Sequence, residues 1–164
     1  MVEETVVDMG KYVVAHNPDV LIALGLGSCV GAAVIDSEMH IGGLAHIMLP
    51  HSSECKRENT EGFNMNKFAD IAIPSLIRDM ELKGCKRERI KAKIAGGAHM
   101  FKNIVGLEVL DIGKRNIDAV KHELGKLNIP IVAEETGGSI GRTVKFDLKT
   151  SILQIKTLDG LREI

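Results

Sequence analysis

The chain has 164 residues, 45% of them hydrophobic and 26% charged, with a formal net charge of −1, which is the balance of a folded protein with a real core. That charge argues against a general nucleic-acid binder, which carries a basic surplus; one tyrosine, four phenylalanines and no tryptophan offer no base-stacking platform and leave the core to aliphatic side chains. No apolar run approaches the ~20 residues that span a bilayer, and the acidic start Met1-Val2-Glu3-Glu4-Thr5 has no signal-peptide pattern, so a cytoplasmic protein that is not membrane-embedded is expected.

Residues 11–15 are β-branched and aromatic and predict a short strand, closed by the turn His16-Asn17-Pro18-Asp19. Residues 20–24 are apolar on both faces and predict a strand inside a sheet. The glycine-rich Gly25-Leu26-Gly27-Ser28-Cys29 then predicts a sharp bend. Residues 30–35 and 41–49 are two further strands. Gly42-Gly43 marks a bulge or a close backbone approach, and alternation puts Leu44, His46 and Met48 on one face. Residues 51–65 are polar and predict a loop that starts beside His46; covering the site and inert connection are equally open to it.

Apolar steps of three and four over residues 66–83 predict a helix, with Pro74 giving a kink or a late start and Gly84 the C-terminal cap. Residues 90–95 are a strand feeding a second glycine bend, Gly96-Gly97, placed to frame the pocket. Met100 and Phe101 read most simply as core anchors. A second helix begins at Gly113-Lys114-Arg115-Asn116, with Ile117, Val120, Leu124 and Leu127 inward and Asp118, Lys121 and Glu123 off that face. A strand at 131–133, a third glycine turn at 134–138, a hairpin around Lys149-Thr150-Ser151 and a tail from residue 158 complete the chain. Glu134 and Glu135 read as an arginine partner and a solvated residue rather than a catalytic pair. The expectation is one layered α/β (α+β) domain over residues 1–164, a mixed sheet with two main helices on one side.

The chemistry concentrates in two places. The first bend presents successive amides that can nest a developing negative charge, at Gly25, Gly27 and Ser28, and it ends in Cys29. A cysteine there is a nucleophile if a base takes its proton, and His46 is the candidate base. Taken alone, a cysteine among aliphatics is more often a small buried hydrophobe. Cys55 and Cys85 have no disulfide-framework spacing, and Cys85 reads as incidental in a polar loop. His46, His51 and Cys55 are a minor alternative as metal ligands; their spacing matches no strong zinc signature, and no metal is expected.

Leu24-Gly25-Leu26-Gly27-Ser28-Cys29-Val30, Ala45-His46-Ile47-Met48-Leu49-Pro50, Ala92-Lys93-Ile94-Ala95-Gly96-Gly97-Ala98, Ile112-Gly113-Lys114-Arg115-Asn116 and Ala133-Glu134-Glu135-Thr136-Gly137-Gly138, in this order, resemble CheD, the family of chemoreceptor glutamine deamidases. The resemblance implies Cys29 as nucleophile and His46 as base, hydrolysis of receptor glutamines to glutamate with release of ammonia, and glutamyl methyl ester hydrolysis by the same acyl-enzyme. It implies the layered fold shared with some toxin deamidases and no organic cofactor. The implied partners are the cytoplasmic helices of a chemoreceptor and a CheC-type phosphatase. One departure stands out: the family's threonine two residues before the first glycine is Ala23 here. Ser28, a backbone carbonyl or water must then orient His46. The missing hydroxyl also motivates a second reading, a non-catalytic regulatory module that binds receptors or the phosphatase.

Overall fold

A small-residue strand can be covered on both faces without a large volume penalty, and that is where this fold has its centre. In a computed structural model, which describes residues 1–55, 64–101 and 111–164, β4 (Val30–Asp36) and β5 (Ile41–Ile47) are buried at every position. They pair antiparallel in unbroken register from Val30 opposite Ile47 to Asp36 opposite Ile41. Gly42 and Gly43 therefore mark close approach rather than a bulge: a Cβ on Gly42 would press Leu148, and one on Gly43 would press Leu76, from opposite sides.

Around this pair, β2 (Tyr12–His16), β6 (Lys91–Gly96) and β7 (Ile131–Thr136) complete a mixed sheet in the order β2-β5-β4-β6-β7, with β6 and β7 parallel. A second mixed sheet, ordered β1-β3-β8-β9-β10, contains β1 (Glu4–Val6), β3 (Val20–Leu26), β8 (Arg142–Asp147), β9 (Ile152–Thr157) and β10 (Gly160–Glu163). The helices α1 (Ala69–Leu82) and α2 (Ile112–Lys126) pack on the other face of the first sheet. Period-two alternation divides the core accordingly. Val30, Ala32, Val34, Ala45 and Ile47 join Ile73, Leu76, Val120 and Leu124 on the helix side. Ala33, Ile35 and Leu44 join Leu21, Ala23, Leu26, Val144 and Phe146 between the sheets. The layers run helices, sheet, sheet: the expected α+β layout, a mixed sheet with both helices on one side, is present, with a second mixed sheet on its other face.

Several elements depart from the sequence reading. Residues 4–6 form a strand, parallel to β3, and the tail forms β10, which closes on β9; short strands with polar alternation are stabilised by the neighbour they pair with, which composition does not reveal. β3 is interior to its sheet and buried from Leu21 to Ala23, but Leu24 is 54% exposed. α1 starts late, at Ala69, and Pro74 still lies within it. Cys85 is buried in the helix-side core, and Glu123 is buried as well, paired with Lys126 at 3.3 Å. Met100 and Phe101 are about half exposed instead of anchoring the core. Most of the polar loop, residues 56–63, lies outside the described residues; its near end is tied down where Ser52 donates through N and Oγ to Asp70 at 2.9 and 2.8 Å.

Candidate active site

The first glycine bend is built by a break in the β3–β8 ladder. Pairing is regular from Val20 to Ala23, shifts, and resumes at Leu26 opposite Arg142. Gly25 takes φ +61° inside this irregularity, a conformation that costs any residue with a Cβ about 1–2 kcal/mol. Its amide donates to Thr143 Oγ1 at 3.2 Å.

Downstream of Gly25 the chain is held by its carbonyls. Gly27 O accepts from the Ala98 amide at 2.8 Å, Cys29 O from the Gly97 amide at 2.8 Å, and Ser28 O from Asn116 Nδ2 at 2.9 Å. The second glycine bend thus lies against the first, as its sequence suggested. Gly96, at φ +108°, lies so close that a Cβ there would run into the Cys29 carbonyl. With Gly25 N engaged, the amides of Gly27, Ser28 and Cys29 donate to no other group among the described residues. Three consecutive carbonyls are thus held while three amides are left uncommitted.

Cys29 is partly exposed and packs on the inter-sheet core. Gly31 sits directly opposite His46, and Cys29 lies two residues before Gly31, one residue past the last rung of the ladder at Val30. No hydrogen bond joins Cys29 Sγ to His46 Nε2 among the described residues. His46 is 1% exposed. Its Nδ1 lies 3.2 Å from the carbonyl of Val7, immediately after β1. A carbonyl can only accept, so this contact puts the proton on Nδ1 and leaves Nε2 as a bare lone pair. Nε2 is buried without a hydrogen-bond partner among the described residues.

Burial pushes the Cys29 thiol above its ordinary value. It pulls the His46 imidazole below its own, against the opposing pull of the Val7 carbonyl and Asp8. Both shifts disfavour the charged forms. Ala23 is fully buried between the sheets, opposite Val144, and its methyl offers His46 nothing. Among the described residues no group of three His, Cys, Asp or Glu side chains is arranged to hold a metal, so His46, His51 and Cys55 are not gathered into a site. Glu134 pairs with Lys121 at 2.9 Å, and Glu135 with Arg142 at 3.4 Å.

Sequence reasoning missed Val7, Asn116 and Thr143. The run Thr5-Val6-Val7 carried a weak strand signal. Asn116 stands four residues before Val120 on the apolar stripe of α2, where a polar residue is itself a signal. Thr143 carried none, because its register against the bend is a tertiary fact.

Comparison with known proteins adds an independent observation. A family model described as CheD chemotactic sensory transduction matches residues 48–157, an interval that starts just after His46. Curated relatives span the rest. A protein of Clostridium botulinum strain Hall named probable chemoreceptor glutamine deamidase CheD is 46% identical over 164 residues, 99% of each chain. One of Clostridium novyi strain NT with the same name is 47% identical over 152 residues, 92% of this chain and 91% of its own.

Proposed function

This chain belongs to the CheD family, and from that premise we propose that it deamidates glutamine side chains of chemoreceptors, with Cys29 as nucleophile and His46 as its base. The observation that carries the chemistry is the engagement of His46 Nδ1 by the Val7 carbonyl at 3.2 Å. It leaves a lone pair on Nε2, in the tautomer a general base requires.

Cys29 Sγ attacks the carboxamide carbon as its proton passes to His46 Nε2. The oxyanion forms against the amides of Gly27, Ser28 and Cys29, donors worth about 3 kcal/mol each to such a barrier. His46 returns the proton to the departing nitrogen, which leaves as ammonia, and a thioester remains. Water, deprotonated by His46, hydrolyses it; glutamate is released and the thiol regains its proton. A glutamyl methyl ester enters the same path with methanol as leaving group. The Val7 carbonyl orients His46, a role that Ala23, with no hydroxyl, does not supply. No helix among the described residues is long and apolar enough to cross a membrane, which accords with action on the cytoplasmic helices of a receptor. Exposed Leu24 and Met100, the latter against Gly27, lie beside the bend and give a protein substrate an apolar rim. A CheC-type phosphatase is the proposed regulatory partner.

The test is mass spectrometry of a receptor cytoplasmic fragment after incubation, read for ammonia and for a gain of about one dalton per glutamine. Cys29→Ala is expected to abolish both. Undiminished turnover in that variant would overturn the mechanism. Receptor binding without turnover by the unaltered protein would favour the regulatory module, the reading to which Ala23 lends weight.

A further inference from the structure

We infer that Asn116 is a positioning residue for this reaction, holding the nucleophile's bend in register with the histidine strand; the inference rests on the reading of Cys29 and His46 given above. The β4–β5 ladder ends with Val30 opposite Ile47. Beyond that pair the two chains part: Met48 and Leu49 donate their amides to Lys67 O at 3.0 Å, and the bend turns toward Gly97 and Ala98. Cys29 lies one residue beyond the last rung, where backbone pairing no longer sets the spacing between thiol and imidazole.

Asn116 supplies the missing rung. It is fully buried, and its Nδ2 donates to Ser28 O and Met48 O, each at 2.9 Å. Those carbonyls belong to the residue before Cys29 and to the second residue after His46. One planar amide, carried on α2, therefore spans both strands where their own hydrogen bonding stops. The Oδ1 of the same side chain is buried with no partner among the described residues. A group that only filled space would be better apolar, since a buried unpaired acceptor is unfavourable. The two donors account for an amide here.

Asn116→Leu has similar shape, lacks both donors and also removes the orphan oxygen. Its melting temperature is expected to fall, since Ser28 O and Met48 O lose their donor, and kcat on the receptor fragment to fall at least tenfold with KM within about twofold. The rate of Cys29 alkylation against pH should shift with kcat, which a purely structural role would not produce. Unchanged kcat with an unchanged alkylation profile would overturn the inference. Should the unaltered protein prove inactive on receptors, the deamidase reading fails, and the alkylation comparison still decides the role of Asn116. Should the variant not fold, side-chain amide NMR of the unaltered protein decides it: slow solvent exchange of both Asn116 protons supports the bridge, and exchange as fast as in an exposed asparagine refutes it.

Discussion

At the scale of single residues, the site is governed by what burial does to two titratable groups. His46 ionises below the ordinary 6.5 of histidine because burial penalises its charged form. The catalytic form is the neutral one, so kcat/KM is expected to hold level down to the usual histidine range and to fall only as pH drops through that lowered value. Cys29 ionises above the ordinary 9.0, also through burial. Alkylation by iodoacetamide requires thiolate, so its rate should keep rising past pH 9 while catalysis shows no matching limb. Fast alkylation at pH 7 would instead reveal a preformed thiolate–imidazolium pair. Cys29 and His46 were legible in the sequence because their residue types are rare in the contexts they occupy. The group that sets the tautomer was not, because Val7 contributes only a carbonyl and every residue has one.

At the scale of elements, three glycine bends stack on each other, and their separate roles can be tested. Gly96 and Gly137 both have left-handed backbone, at φ +108° and +80°. A Cβ at Gly137 meets nothing within 4 Å, whereas one at Gly96 meets the Cys29 carbonyl. Gly137→Ala should therefore cost only the backbone strain, about 1–2 kcal/mol of stability, read by denaturant unfolding, with kcat retained. Gly96→Ala should cost at least as much and also displace the nucleophile, lowering kcat on the receptor fragment. The central strands were readable from their apolar runs, and both helices from their stripes. β1 and β10 were not, because their pairing with β3 and β9 is what makes them strands. Met100 and Phe101 were misread for a related reason: large apolar residues after a glycine pair usually enter a core, and only the fold shows that this bend ends at the surface.

For the whole molecule, the layering of two sheets under two helices ties stability to pH. His46 is depressed in the folded state, so the unfolded chain binds its proton first. The stability linked to it is complete above about 6.5 and is lost as pH falls through the folded value. Asp36 follows at lower pH. Burial raises its carboxyl, but hydrogen bonds from Arg89 and from the amides of Lys86 and Met39 outweigh this and bring it below the ordinary 3.8. Its contribution is present above about 3.8 and lost as pH falls through the lowered value. Thermal melts across pH 3–8 should therefore show two successive declines, and His46→Gln should remove the first while leaving the second.

What the amino-acid sequence determined by itself was local: which segments are strands and helices, where the chain bends, and that one cysteine and one histidine stand where chemistry is possible. These follow from periodicity, glycine placement and residue type, all of which act over a few neighbours. The tertiary structure alone decided that the strands divide into two sheets, that three successive carbonyls are clamped so that three amides stay uncommitted, and that a carbonyl from residue 7 and an amide from residue 116 meet at the site. Those arrangements depend on segments tens of residues apart being packed into the same layer, and no local pattern in the chain encodes that distance.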